Sequence, residues 1–443
     1  MMRGLSGRWR RWLGLSVLAS ALGWLVWNEA PALHPVARAP RSSEDLVRTG
    51  LTLFEHVWTP SDPLAKGDGL GPVFNERSCV ACHSQGGVGG GGEVSRNVTT
   101  FEVHPASGRT KVEEGVIHAF SLSSDCRESR VGLNDFFQVV PGGLKVVGSC
   151  FVEIRDFDPI RSESINPTAL FGGGWVDQIP DKSIINHARL RSATALGEVI
   201  MANLNGVKAG RARVLADGRI GKFGWKGQFA TLKEFVASAC ANEIGLGNPM
   251  MAQATPYAHH ASMKVQPDLD DQQFRALVSY VDTIPRPIEE FPADPTLRAA
   301  ADHGRALFEK IGCAICHAPS LGGVDGVYSD FLLYRLSDPK EIGGYSEVPT
   351  TPLPDDHPLP DEWKTPALWG VADSAPYFHD GGSPTLEAAI NRHGGDAKTV
   401  TKAFEELSAE DRAAVVGFLK TLKAPRQAKP PTPRSSGYYA MAH

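Results

Sequence analysis

A mainly α chain of two similar helical halves, the first interrupted by a long insertion of short β-strands, is the fold class the sequence predicts. Three observations predict it. The motif C-x-x-C-H occurs twice, as Cys79, Cys82, His83 and as Cys313, Cys316, His317. Each copy has a similar lead-in, Gly50-Leu-Thr-Leu-Phe54-Glu55 and Gly304-Arg-Ala-Leu-Phe308-Glu309. Two apolar-periodic segments of the same type close the halves: Leu407 lies 138 residues after Leu269, and Leu422 the same distance after Ile284. Each of these reads as an amphipathic helix with a capping residue near its start, Asp270 or Ser408.

The motif states its own chemistry. Two intervening residues bring both sulfurs to the vinyl groups on one edge of a porphyrin, and the adjacent imidazole falls beneath the iron. The competing reading, half a zinc site or a redox dithiol followed by a chance histidine, loses weight because the histidine recurs with the lead-in. Two covalently bound haem c groups are implied, on Cys79 and Cys82 and on Cys313 and Cys316, with His83 and His317 as fifth ligands. Helix, motif, variable middle and closing helix make up the cytochrome c plan. It divides the chain into a first cytochrome c-like haem domain at 43–290, with an insertion at about 100–220, and a second at 291–424. The insertion is where substrate or partner specificity could have been built.

A chain of 443 residues, 42% hydrophobic and 21% charged, has ample core for two or three domains. A net charge of -5 without a basic stripe argues against nucleic acid as a partner. Arg3, Arg8, Arg10 and Arg11 precede an apolar run from Trp12 to Trp27, and Ala37-Arg-Ala39 has the form of a cleavage site. The run is short of the roughly 20 residues a spanning helix needs, which favours cleavage of residues 1–39 over retention as a membrane anchor. Either outcome places the folded part in the periplasm. The polar, Pro-rich stretch at 425–443 is expected to be a disordered tail. Of the seven cysteines, Cys126, Cys150 and Cys240 are left over; the first two could pair, or each could be a buried free thiol.

In chain order, Ser43 to Trp58 has helical spacing of Leu46, Leu51 and Phe54. The run Gly86–Gly92 after His83 is either a flexible linker or a loop lying close to the haem. Residues 100–220 alternate in short runs separated by Gly and Pro, the pattern of hairpins and irregular segments rather than long helices. Elimination narrows the sixth ligand of the second haem, because no methionine occurs between Met263 and Met441. His357, in Asp-Asp-His-Pro, is discounted as an exposed loop residue. His379 and His393, each followed by glycines, remain, with Tyr334 and Tyr377 as weaker candidates. The first haem has His118, His187, His259, His260, Met250, Met251 and Met263 available, and an open position is what peroxide chemistry would need.

The strings Lys364-Thr-Pro-Ala-Leu-Trp-Gly-Val371, Ala375-Pro-Tyr-Phe-His-Asp-Gly-Gly382, Thr385-Leu-Glu387 and His393-Gly-Gly395 resemble the di-haem oxidoreductase family of peroxidases. So do Gly71-Pro-Val-Phe-Asn75 and Lys222-Phe-Gly-Trp-Lys226. The resemblance runs from about residue 45 to 422, and more distantly extends to bacterial di-haem cytochrome c peroxidase and MauG. It implies that one haem receives electrons while the other meets the oxidant. It favours His393 as the second haem's sixth ligand, leaving His379 structural. It also implies Trp225 as a residue between the haems, unless it is simply a packed aromatic, and Glu243 as a distal carboxylate, unless it is a solvated helix-end residue. Tyr334 departs from the family pattern, which has a histidine in that segment.

The resemblance therefore implies an exported di-haem peroxidase-like oxidoreductase, taking electrons from a small donor protein (a cytochrome c or a cupredoxin) to reduce hydrogen peroxide. A pure electron carrier with both irons closed, or MauG-like oxidation of a protein partner, are the alternatives. Calcium finds no support, since Asp268, Asp270 and Asp271 are more simply helix-start residues.

Overall fold

The structure, a computed structural model, describes residues 44–104, 112–147, 149–154, 156–192, 207, 209–256, 266–337, 356–426 and 428. The expected leader at 1–39 and nearly all of the expected tail lie outside the described residues. None of the described helices is long and apolar enough to cross a membrane.

The chain begins with α1 (Glu44–Glu55), whose first turn carries Glu44 and Asp45 and whose inner face buries Gly50, Leu53 and Phe54. After β1 (Val73–Phe74) comes the one-turn α2 (Cys79–Cys82). Next are β2 (Val98–Val103), β3 (Glu113–Ile117), β4 (Phe120–Ser121), β5 (Gly143–Val147), β6 (Cys150–Ile154) and β7 (Ile160–Ile165). β2 is the centre of an antiparallel sheet in the order β3-β2-β7. Its alternation turns Phe101 and Val103 inward against Leu133, Phe137 and Ile160, while Glu102 takes the other face, opposite Glu114 of β3. β5 and β6 form a hairpin, and β1 pairs with β4.

The strand reading of the insertion holds only as far as Ile165. Beyond it lie α3 (Gly173–Asp177) and the 12-residue α4 (Asp181–Ser192). The second helix was hidden because its apolar residues are few; Pro180 and Asp181 at its start suit a helix N-terminus, and Ile184 is fully buried. Cys126 and Cys150 are not joined, and neither is a buried thiol: Cys126 is half-buried and Cys150 lies exposed on β6, whereas Cys240 is buried.

The remaining helices follow local signals closely. α5 (Leu232–Glu243) starts with a capping box of Thr231 and Glu234, and α6 (Asp271–Thr283) with one of Asp270 and Gln273. Asp294 caps α7 (Pro295–Ile311), which has proline in its first turn and ends at Gly312. After the short pairs β8 (Ser320–Leu321) with β9 (Val324–Asp325), and β10 (Leu333–Arg335) with β11 (Glu362–Lys364), come α8 (Leu386–Asn391), α9 (Lys398–Glu405) and α10 (Ala409–Leu419). Ser408 accepts from the amide of Asp411 at the start of α10. The class is mainly α, with the longer strands gathered between 98 and 165.

The repeat in the sequence returns as a repeated contact. α1 crosses α6 so closely that a Cβ on Gly50 would lie 2.0 Å from the carbonyl oxygen of Ala276; α7 crosses α10 with Gly304 1.9 Å from that of Ala414 by the same measure. Ala276 and Ala414 are 138 residues apart. Phe54 packs on Tyr280 (5.2 Å between ring centroids) and Phe308 on Phe418 (5.4 Å), again the same offset. Two buried clusters match this arrangement, a larger one containing Phe54 and Phe274 and a smaller one containing Phe308 and Phe418.

Candidate haem sites and the residues between them

Both motifs fold alike. The amide of His83 donates to the carbonyl of Cys79 and that of His317 to the carbonyl of Cys313, each at 3.0 Å, so the histidine follows one tight turn after the first thiol. Phe54 lies 6.4 Å from the His83 ring and Phe308 6.4 Å from the His317 ring. Nδ1 of His83 meets the carbonyls of Thr168 (3.0 Å) and Gly90 (3.2 Å), and Nδ1 of His317 that of Tyr328 (3.1 Å). A ring that donates through Nδ1 presents Nε2 as a lone pair, the tautomer a metal requires. Burial lowers the pKa of both imidazoles, that of His317 to about 4 with His393 contributing, so both are neutral near pH 7.

The glycine run after His83 is no flexible linker. Gly87 to Gly92 are buried, Gly90 supplies an acceptor to His83, and a Cβ there would meet the Gln85 carbonyl oxygen at 1.6 Å. Only bare backbone fits so close to the motif.

The second site opens into a cavity of about 320 Å³ lined by Cys313, Cys316, His317, His393, Trp225 and Trp363 among others. His393 faces His317 across it, with ring centroids 6.4 Å apart and planes at 70°. Its Nδ1 is tied to the carbonyl of Ala389 (2.7 Å), so its Nε2 is the free nitrogen. Two imidazoles each about 2 Å from a shared metal have their ring centres roughly 6 Å apart, so the observed gap suits one iron between them. His379 is differently placed: it stacks on Trp363 at 3.5 Å and 10°. Burial pushes the thiols of Cys79, Cys82 and Cys313 up to about 12, with Glu76 and Glu243 adding to the shift at Cys82. Neutral, unreactive thiols do not suit a redox dithiol, which needs a low thiol pKa. The donors and their tautomers fit a haem at each motif, and the cavity fits one at the second.

Around the first site, Glu243 ends α5 and receives a hydrogen bond from Nδ2 of Asn75 (2.7 Å), while its carbonyl accepts from the amide of Asn75 (2.8 Å). Burial pushes its carboxyl up to about 7, the Asn75 bond acting in the opposite direction. It is thus no solvated helix-end residue. His118 is engaged nearby, its Nε2 at 2.8 Å from the carbonyl of Asn242. Met250 and Met251 lie at the surface, His187 has Nε2 3.9 Å from Asp330, and His259, His260 and Met263 fall outside the described residues.

Trp225 is tied to the segment that holds His83. Its Nε1 donates to the carbonyl of Asn166 (2.9 Å), two residues before Thr168, whose carbonyl holds His83. Its ring lines the cavity beside His317 and lies 6.3 Å from His379. Sequence reasoning missed three things here. Asn75 stood in a quoted string without a role. Trp363, with Lys226 4.6 Å above its ring, carries no motif. His357, expected on an exposed loop, is buried, because its segment packs over the insertion sheet, within 3.7 Å of Glu102. Tyr334 is also buried, donating to Asp330 at 2.7 Å. Asp270 caps α6, the helix-start duty expected of it, whereas Asp268 is buried as an acceptor for the loop amides of Gly69 (2.8 Å) and Gly247 (2.7 Å) and is not a helix-start residue.

A family profile described as "Di-haem oxidoreductase, putative peroxidase" matches residues 155–422, which includes the second motif and leaves the first outside. The chain is 33% identical to the methylamine utilization protein MauG of Methylorubrum extorquens over 137 residues, 30% of this chain and 36% of that one. It is 30% identical to cytochrome c551 peroxidase of Nitrosomonas europaea over 120 residues, 27% of this chain and 33% of that one. The matched stretches thus span about a third of the length of these curated relatives. The crystal structure of the diheme peroxidase BthA from Burkholderia thailandensis aligns over 91% of this chain and 93% of that chain, with 14% identity and a TM-score of 0.41. With more than half of its length matched by the profile, this chain belongs to the di-haem oxidoreductase family.

Proposed function

We propose that the protein is an exported peroxidase with two covalently attached haem c groups, reducing hydrogen peroxide with electrons from a small redox protein. The observation that carries this reading is an asymmetry. His317 faces a second imidazole, His393, at the spacing of two ligands on one iron, whereas His83 has a proton-holding carboxylate, Glu243, in its neighbourhood. The division into haem domains at 43–290 and 291–424 is supported by the crossing that α1 with α6 and α7 with α10 repeat.

Bound haem supplies iron that can exchange electrons at both sites and meet peroxide at the one with an accessible face. The chain's own residues do the rest. Cys79, Cys82, Cys313 and Cys316 would hold the porphyrins, while His83 and His317, fixed through Nδ1 by backbone carbonyls, would offer Nε2 to their irons. His393 closes the second site. Asn75 holds Glu243 through Oε2, and a carboxyl with a pKa near 7 can take a proton from one peroxide oxygen and return it to the other. Trp225, tied to the segment that carries Thr168 and lining the cavity of the second site, would carry electrons between the sites.

A steady-state assay tests this reading: the haem-loaded protein, given reduced cytochrome c, should oxidise it only when hydrogen peroxide is added. A protein that exchanges electrons with cytochrome c yet leaves peroxide untouched would be a carrier.

A further inference from the structure

On the outer face of the insertion sheet, far in sequence from either motif, one atom from each of Glu102, Glu114 and His357 lies within 4.8 Å of the other two. Glu102 and Glu114 are cross-strand partners of β2 and β3, and His357 comes from the segment that leads into β11. His357 has Nε2 3.7 Å from Oε2 of Glu102 and Nδ1 3.7 Å from Oε1 of Glu114. A second imidazole approaches the same oxygen: Nε2 of His104 is 3.8 Å from Oε2 of Glu102.

These separations exceed the roughly 2.7–3.2 Å of a hydrogen bond. His104 is 1% exposed and His357 8%, and among the described residues both ring nitrogens of His104 and Nε2 of His357 are buried without a hydrogen-bond partner. Buried polar atoms are ordinarily paired, so an unfilled demand of this kind calls for an explanation, an ion being one. One imidazole gives an ion only one of its nitrogens, so a single atom from each of Glu102, Glu114 and His357 would bind; these lie within 4.8 Å of one another, wider than the roughly 3.3 Å between donors about 2.0–2.1 Å from a tetrahedral metal, so the side chains would draw in on binding. Lys226 lies 4.0 Å from the other Glu102 oxygen, Oε1, which leaves Oε2 to the imidazoles. Two carboxylates balance a divalent charge, and mixed imidazole and carboxylate donors suit zinc, copper or iron in preference to magnesium or calcium.

We propose that Glu102, Glu114 and His357 bind one divalent transition-metal ion of the zinc type, with the unpaired imidazole of His104 beside Glu102 at its edge, pinning the insertion sheet to the segment before β11. The site owes nothing to the haem motifs, and its test does not depend on peroxide turnover. Full-length, haem-loaded protein is stripped with a chelator and titrated calorimetrically with zinc chloride, with magnesium as control. One equivalent of zinc should bind, raise the melting temperature, and bind at least tenfold more weakly to Glu102→Gln and Glu114→Gln. Glu114 is half-exposed, so its variant should keep the wild-type circular dichroism and haem spectrum even if alterations at the more buried positions do not. Absence of stoichiometric zinc binding, or binding to folded Glu114→Gln as tight as to wild type, overturns the proposal.

Discussion

Glu243 is costly to ionise, and its proposed role as a proton carrier would use that cost. An ordinary glutamate titrates at about 4.3 and is charged throughout the neutral range. Burial raises this one to about 7, against the hydrogen bond from Asn75, which favours the charged form. To accept a proton from peroxide it must first be ionised, so kcat/KM should rise with pH through about 7. Glu243→Gln should remove that limb and lower turnover by about 10²- to 10⁴-fold, with the haem spectrum unchanged; steady-state rates from pH 5 to 9 check both. The same shift has a stability sign. The folded chain holds a proton that the unfolded chain releases above about 4.3, so Glu243 subtracts progressively more stability between there and about 7. The melting temperature of Glu243→Gln relative to wild type should therefore climb over that range and level off above it. At Trp225, replacement by phenylalanine removes the donor to Asn166 but keeps a ring. Stopped-flow reduction should then show slower electron transfer between the two haems, with each spectrum intact; equal rates would leave Trp225 a packing residue.

At the scale of elements, the two helix crossings bring backbone within van der Waals contact. Alanine is intrinsically better than glycine inside a helix by about 1 kcal/mol, so Gly→Ala is normally favourable there. In α7 the gain is overruled, since a Cβ on Gly304 would lie 1.9 Å from the backbone oxygen of Ala414, and relieving such an overlap costs about 1–3 kcal/mol or more. In the partner helix α10, a Cβ on Gly417 would meet nothing within 4 Å. Gly304→Ala should lower the melting temperature and Gly417→Ala should raise it, and thermal denaturation of the two side by side checks the opposite signs. These crossings also mark what was legible in the chain. Helices α6 and α10, with their caps Asp270 and Ser408, could be read because capping and apolar spacing are local properties. Helix α4 could not, having few apolar residues to report a period. The burial of Gly87–Gly92 was equally hidden, since a glycine run in a packed loop and one in a linker have the same composition.

Across the whole molecule, what the sequence could not display is how distant segments meet. Asn166 exemplifies this: its carbonyl receives Trp225, its amide donates to the carbonyl of His379 (2.7 Å), and its neighbour Thr168 holds His83. Gln85, just after the first motif, donates to the carbonyl of Ala375 (2.6 Å) from the other half of the chain. The motifs point to where haem would attach, but the inequality of the two candidate centres emerges only when His393 is seen opposite His317 and Glu243 beside the first site. That inequality has a spectroscopic consequence. An iron held by two imidazoles is low-spin and has no position left for an added ligand, whereas one with a single strong protein ligand is high-spin and open. The oxidised protein should therefore give one low-spin and one high-spin signal in low-temperature electron paramagnetic resonance. Cyanide should bind at one equivalent and convert only the high-spin signal. In His393→Ala the low-spin signal should be lost and cyanide uptake should rise to two equivalents, while the His83 centre keeps its spectrum. Two low-spin signals in the wild type, with no cyanide uptake, would instead mean that both irons are closed and that the protein only carries electrons.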